Sequence, residues 1–268
     1  MAGGNDFEGA VVVVTGASTG LGRAIAVEVA GRGAKTIVIN FASSAAEAEE
    51  TGRQVKALGA EPVLVQADVG DDEACKRIVA AAAPFGRIDA LFNNAGVTKQ
   101  VPNHADMDSL NADEFAWIYR VNVIGAFQMV RAARSLLEAA PRAGAVVNTS
   151  SIAGVTGIGS SVAYAASKGA LTTMTLSLAR ALAPKIRVNA VCPGFIDTPW
   201  FERAMDAERL ERMRQGVAAA TPLKVASKAE DIAGPTVFLA SPAAAHITGE
   251  TLLVDAGMHL GYAPTVAR

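Results

Sequence analysis

Residues 11–30 read VVVVTGASTGLGRAIAVEVA, and this stretch decides the fold. Four consecutive valines, with no polar alternation, describe a short strand buried on both faces, as in a parallel sheet covered by helices. The run from Leu21 to Ala30 reads as a helix. Between them stand Gly16, Gly20 and Gly22, with Ser18, Thr19 and Leu21 on the same turn. Glycines there allow a tight turn, close approach of a phosphate to the backbone, and close packing of helix on strand, while the helix N-terminus offers free N–H groups and a favourable dipole. A tight turn alone would also explain them. The spacing is G-x-x-x-G-x-G rather than the common G-x-G-x-x-G of dinucleotide sites, so its weight comes from its place between the first strand and the first helix.

The same alternation continues to the C-terminal part. Strands are expected at Ala10–Thr15, Thr36–Asn40, Pro62–Gln66, Ile88–Phe92, Ala145–Thr149, Ile186–Val191 and Thr251–Val254. Helices are expected at Gly20–Gly31, Ala45–Leu58, Asp72–Ala83, Ala112–Ala139, Ser161–Ala183 and Ala229–Leu239. Strand–helix alternation implies right-handed crossovers and a parallel α/β sheet with helices on both faces. No linker or repeat divides the 268 residues, so one domain is expected.

Composition excludes several classes. A net charge of −2, with charges of both signs interspersed, offers no basic surface for nucleic acid or an anionic membrane. Cys75 and Cys192 make no disulfide framework, and neither they nor His104, His246 and His259 have metal-ligand spacing. The first ten residues lack a signal-peptide pattern, and no apolar run approaches the roughly 20 residues of a membrane helix. A soluble, cytoplasmic protein without a metal, nucleic-acid or membrane partner is expected.

The end of the second strand bears on cofactor choice. A carboxylate there would hydrogen-bond an adenosine ribose, whereas a 2′-phosphate repels it. Phe41 occupies that position, followed by Ala42, Ser43 and Ser44, whose hydroxyls could accept a phosphate or simply cap the next helix. No arginine stands in this stretch. NADP(H) is the expected cofactor, with NAD(H) as the alternative.

Chemistry concentrates near residue 164. Tyr164 and Lys168 are four apart, on one helical face, and Ser151 lies thirteen positions upstream of Tyr164. An ammonium beside a phenol favours the phenolate and moves the phenol toward the range of a general acid/base; a serine hydroxyl could hold the substrate oxygen. Chance also places Tyr-x-x-x-Lys on many amphipathic helices, so the pair gains meaning only from its company.

That company resembles the short-chain dehydrogenase/reductase family over nearly the whole chain. The family's T-G-x-x-x-G-x-G loop matches Thr15 to Gly22, its Asp-Val pair Asp68 and Val69, and its N-N-A-G segment Asn93, Asn94, Ala95 and Gly96. Its helical Asn matches Asn122, its active-site triad Ser151, Tyr164 and Lys168, and its Pro-Gly segment Pro193 and Gly194, with Ile196 and Thr198 following. The closing HITGETLLVDAGM (246–258) is similar to the family's last strand and assembly segment. The resemblance implies a single doubly wound Rossmann-type α/β domain with a seven-stranded parallel sheet, in which a dinucleotide-binding part spans about 8–150 and a catalytic and substrate part about 145–258.

It also implies roles. Tyr164 would exchange a proton with the carbonyl oxygen; Lys168 would lower its pKa and hold the nicotinamide ribose; Ser151 would orient the carbonyl, and Asn122 would hold a water linking Lys168 to solvent. Asp68 would contact the adenine, and Asn94, Ala95, Gly96, Pro193, Gly194, Ile196 and Thr198 would line the cofactor. The nearest likeness is to 3-oxoacyl-carrier-protein reductases, which implies interconversion of a ketone and a secondary alcohol, with a 3-oxoacyl thioester as the suggested substrate. Thr19 departs from the basic residue many NADP-using relatives carry. The competing expectations are an NAD-dependent dehydrogenase of a sugar, steroid or other secondary alcohol, and a dinucleotide-binding sensor or scaffold without catalysis. A substrate lid is expected over Phe195–Thr221, with Phe195, Trp200, Phe201 and Met205 as an apolar cover, and Lys99 and His104 on a second bordering loop. The long segments 112–139 and 161–183, with Ala163, Ala166 and Ala170, permit a homotetramer.

Overall fold

The computed structural model describes residues 4–101, 103–198 and 206–261. The expected Pro199, Trp200, Phe201 and Met205 lie outside them.

The first half alternates β1 (Val11–Val14), α1 (Gly20–Gly31), β2 (Thr36–Phe41), α2 (Ala45–Ala57), β3 (Glu61–Gln66), α3 (Asp72–Ala80) and β4 (Ala90–Asn93). The second continues with α4 (Ala112–Tyr119), α5 (Ala126–Glu138), β5 (Gly144–Thr149), the short α6 (Ala153–Thr156) and α7 (Val162–Leu182). Then follow β6 (Ile186–Pro193), β7 (Ile196–Asp197), α8 (Ala207–Ala220), β8 (Ser227–Lys228), α9 (Ala229–Ala240) and β9 (Thr251–Val254). The main sheet has the order β3-β2-β1-β4-β5-β6-β9, and every pairing in it is parallel. A second, two-residue pair joins β7 to β8.

The four valines sort their side chains as the strand period requires. Val12 and Val14 join Ile25, Val29, Ile37, Ile39, Val55 and Val237 in a core under α1, α2 and α9. Val11 and Val13 join Cys75, Ile78, Leu91, Met129, Val146 and Val188 under α3, α5 and α7. Each fully buried Ile, Leu or Val contributes about 1.5–3 kcal/mol by leaving water. Arg187 on β6, buried, donates to the carbonyls of Leu239, Ala240, Ser241 and Ile247 and so ends α9 with a cation on its open carbonyls.

Several expected boundaries shift, among them that of α3, which ends at Ala80 rather than Ala83, and that of β6, which runs to Pro193 rather than Val191. The fourth strand begins at Ala90 rather than Ile88, because Asp89 turns its carboxylate to the Val11 N–H at 2.8 Å and to the Arg87 guanidinium. The helix expected at 112–139 is interrupted between α4 and α5 by a π-helical segment, Arg120–Gly125. The strand order reverses at β1 and β4, and the crevice beyond their carboxyl ends is where such sheets hold ligands.

Candidate active site

The turn after β1 is built around contacts that leave no room for side chains. Gly16 has φ +62°, and a Cβ there would lie 2.9 Å from the Ala95 Cα. A Cβ on Gly22 would lie 2.2 Å from the Gly16 carbonyl oxygen. Thr15 ties this turn to the segment after β4: its Oγ1 accepts from the N–H groups of Asn94 and Ala95, at 3.0 and 3.1 Å. Asn94 answers by donating Nδ2 to the carbonyls of Thr15 and Gly16. Asn40 closes the other side, its carbonyl accepting from the Ala17 N–H at 2.8 Å. Thr19, at the N-cap of α1, has extended backbone and makes no side-chain cap bond. The half-buried Ser18, Thr19 and Gly20 therefore ring the start of a helix whose first N–H groups face the crevice, a cradle suited to a dinucleotide's phosphates.

Arg23 supplies a cation that the reading of the second strand did not foresee. It reaches from α1 to the Ser18 carbonyl at 2.6 Å and to the Glu47 carbonyl at 3.0 Å in the first turn of α2. Phe41 is buried, whereas Ser43 is exposed at the mouth of this corner. Asp68 is exposed after β3 and turns its Oδ1 to the Gly70 N–H, while Val69 is buried. Leu21 is buried beneath the cradle. At the end of β6 Pro193 is buried; beyond it the Gly194 N–H donates to the Val254 carbonyl, and Ile196 and Thr198 are half-buried, with the Thr198 methyl 3.3 Å from where a Gly20 side chain would begin.

α7 carries the chemistry. Ser161 caps it, accepting from the Tyr164 N–H at 3.2 Å, and so fixes the turn on which Tyr164 stands. The Lys168 Nζ lies 5.6 Å from the centre of the Tyr164 ring and donates to the Thr149 carbonyl at 2.7 Å. Burial pushes the Tyr164 phenol above its usual value, and a hydrogen bond with the Ser151 side chain opposes that rise. Burial likewise pushes Lys168 down to about 8. The expected lowering of Tyr164 by Lys168 is not what the structure holds: desolvation of the phenol dominates.

The two serines part company. Ser150 is buried, its Oγ 2.8 Å from the Lys168 carbonyl and 2.9 Å from the Thr172 hydroxyl. Ser151 is half-buried and accepts from the Ala153 N–H at 3.1 Å, with its hydroxyl beside Tyr164. Ser151 is thus the one facing the phenol, as the spacing indicates.

Asn122 lies in the π segment and is buried. Its Oδ1 accepts from the Val97 N–H at 2.8 Å, and its Nδ2 donates to the Val97 carbonyl and the Ser167 hydroxyl, each at 3.0 Å. Both amide hydrogens are used, so the side chain braces the segment after Gly96 against α7 rather than serving as a free donor to water. A side chain on Gly96 would begin 3.4 Å from Asn122 Oδ1 and 3.5 Å from Lys168 Nζ, which brings the N-N-A-G segment, Asn122 and Lys168 to one point. Ser167 is the partner that sequence reading passed over; a hydroxyl beside a motif carries no signal of its own.

The loops bordering the mouth are laced together. The Val101 N–H donates to Ser160 at 2.7 Å, Thr98 and Ser160 share a hydroxyl contact of 2.5 Å, and His104 Nε2 lies 3.0 Å from the Gly159 carbonyl. Lys99 is paired with Glu114 at 2.5 Å. Among the described residues no cluster of His, Cys, Asp or Glu could hold a metal, and no helix is long and apolar enough to cross a membrane.

Comparison with known proteins shows the family. The profile of a family described as enoyl-(acyl carrier protein) reductase matches residues 16–259. A Streptomyces violaceoruber protein named as ketoacyl reductase 2 of the granaticin polyketide synthase is 39% identical over 94% of this chain and 97% of its own. The L-rhamnose 1-dehydrogenase (NAD(P)(+)) of a Sphingomonas strain is 38% identical over 95% of this chain and 98% of its own. A solved Burkholderia xenovorans structure, assigned to the short-chain dehydrogenases/reductases, superposes with a TM-score of 0.85 at 41% identity, covering 94% of this chain and 98% of that one. The chain belongs to the short-chain dehydrogenase/reductase family, whose members are oxidoreductases interconverting ketones and alcohols.

Proposed function

We propose that the protein is an NADP(H)-dependent reductase that converts a ketone to a secondary alcohol, with Tyr164 as general acid. The observation that carries this is the meeting of the Tyr164 phenol, the Ser151 hydroxyl and the Lys168 ammonium beside the glycine cradle, at the carboxyl edge of the sheet. The nicotinamide, when bound, supplies or accepts the hydride. Ser151 and Tyr164 hold the carbonyl oxygen, and Tyr164, protonated because burial raises it, gives that oxygen its proton. Lys168, charged below about pH 8, offsets the phenolate that remains. Asn122 keeps Val97 and Ser167 in register, and so sets the spacing between the N-N-A-G segment and α7. Gly16, Ser18, Thr19, Gly20, Leu21 and Gly22 would form the phosphate cradle, Asp68 and Val69 the adenine wall, and Asn94, Ala95, Gly96, Pro193, Gly194, Ile196 and Thr198 the nicotinamide side.

The preference for NADP(H) draws on three features: no carboxylate at Phe41, an exposed Ser43, and the Arg23 cation at the first turn of α2. The likeness to a polyketide ketoacyl reductase favours a 3-oxoacyl thioester as substrate, and the likeness to a rhamnose dehydrogenase keeps a sugar alcohol as the second reading. A homotetramer is in keeping with Phe115, Trp117, Ile124 and Phe127 exposed on the α4–α5 rod and Val162 and Leu176 exposed on α7. Two buried free thiols, Cys75 and Cys192, suit a reducing, cytoplasmic compartment. The test is a panel of 3-oxoacyl thioesters, simple ketones and aldoses, each offered with NADPH or NADH (or the oxidised forms for aldoses). Turnover of a ketone with NADPH is expected; activity confined to NADH, or no turnover of any carbonyl, would overturn the reading.

A further inference from the structure

We infer that Arg214 is a positioning residue for the segment Ile196–Thr198, and that through it cofactor binding and the placement of α8 are coupled; this rests on the reading of Ile196 and Thr198 as cofactor-facing. Asp197 stands between those two residues on β7. Its neighbours are committed elsewhere. Ile196 packs against the core beneath α1 and α9, and the Thr198 methyl lies against Gly20 in the cradle. The Asp197 carboxylate turns instead to α8.

There Arg214 grips it with two bonds, Nε to Oδ2 at 2.7 Å and Nη2 to Oδ1 at 3.0 Å. The Asp197 side chain is 15% exposed and that of Arg214 33%, so the pair is largely shielded from water. A two-pronged guanidinium–carboxylate contact fixes direction as well as distance, which a single ammonium could not do.

Arg214 also lies 3.7 Å from the Glu211 carboxylate on its own helix. Within α8 only Leu210 is buried, and a helix of 14 residues is marginal in water by itself. Its far end is fixed by buried Thr221, whose hydroxyl donates to the Val225 carbonyl at 3.0 Å and accepts the Val225 N–H at 3.1 Å. On the other side, among the described residues β7 pairs with β8 through Ile196 with Ser227 and Asp197 with Lys228. The Asp197–Arg214 contact therefore joins α8 directly to the segment read as facing the cofactor. Whatever orders Ile196–Thr198 orders α8, and by linkage whatever orders α8 tightens the cofactor.

The test compares wild type with Arg214→Ala, Arg214→Lys, Asp197→Asn and the double variant Asp197→Asn/Arg214→Ala. NADPH and NADH binding is followed by nucleotide fluorescence, amide hydrogen exchange is followed over residues 207–220, and melting is recorded for each. NADPH should slow exchange in α8 of the wild type. Its Kd should rise about 5- to 10-fold in Arg214→Ala and in Asp197→Asn, no further in the double variant, and partly recover in Arg214→Lys. An unchanged Kd, losses that multiply in the double variant, or α8 exchange indifferent to NADPH in the wild type would each overturn the coupling. Wild type that binds neither nucleotide would instead remove the reading on which the coupling rests, and the coupling with it. The wild-type exchange measurement decides the matter even if a variant fails to fold.

Discussion

A phenol raised by burial and an ammonium lowered to about 8 share one helical turn at Tyr164 and Lys168. The directions set the pH behaviour. Reduction needs the phenol protonated and the ammonium charged. The phenol stays protonated through the neutral range because its folded value is raised, so Lys168 decides the alkaline limit. The reductive kcat/KM should be level below about pH 8 and fall above it, whereas alcohol oxidation, which needs phenolate, should keep rising into the alkaline range. An alkaline limit that stays put in Lys168→Arg would contradict this assignment. The serines give a second contrast. Ser151→Ala removes the hydroxyl beside the phenol and should cost about 10²-fold or more in kcat. Ser150→Ala removes one bond each from the Lys168 carbonyl and the Thr172 hydroxyl, which still bond each other at 3.0 Å, so it should lower the melting temperature slightly and kcat less than Ser151→Ala does. Steady-state kinetics and thermal melts of the two variants check the pair. Tyr164 and Lys168 were legible as a pair at helical spacing, and Ser151 through the family motifs that accompany them. Their charge states were not: burial is a property of everything packed around them.

At the scale of the element, α1 and α7 carry start signals that can be read directly. Gly20–Gly31 begins at the glycine turn, and Ser161 caps α7 with its side chain. The π segment at Arg120–Gly125 had no such signal, since VNVIG is as compatible with an ordinary helix as with a bulged one. It is Asn122, engaged on three sides by Val97 and Ser167, that gives the bulge its purpose. The strength of the glycine turn is also an element-level matter. A methyl at Gly22 would meet the Gly16 carbonyl oxygen at 2.2 Å, the Asn94 amide at 2.5 Å and the Ala17 Cα at 2.9 Å. Backbone cannot yield as a flexible side chain does, so Gly22→Ala should push the turn apart, destabilise the fold by about 1–3 kcal/mol and weaken nucleotide binding by 10-fold or more. Chemical denaturation and a fluorescence titration would show it; a variant with wild-type stability and affinity would mean that the turn is looser than its contacts.

At the scale of the molecule, the seven-stranded parallel sheet follows from runs such as Val11–Val14, whose side chains feed both cores at once. Contacts made by distant segments were invisible beforehand: Arg23 reaching the first turn of α2, His104 holding the Gly159 loop, and Arg214 gripping Asp197 depend on how loops meet in space. The sheet also divides the labour. On the proposed reading, the cradle after β1 and the segments after β4 and β6 hold the nucleotide, while the end of β5 and α7 bring Ser151, Tyr164 and Lys168 to it. Binding and chemistry should therefore separate in one variant. The most direct test is Tyr164→Phe, with NADPH affinity and single-turnover reduction measured on the same preparation. The account predicts a Kd within about twofold of wild type and a loss of about 10²- to 10⁴-fold in the reduction step. Full turnover in Tyr164→Phe would contradict it.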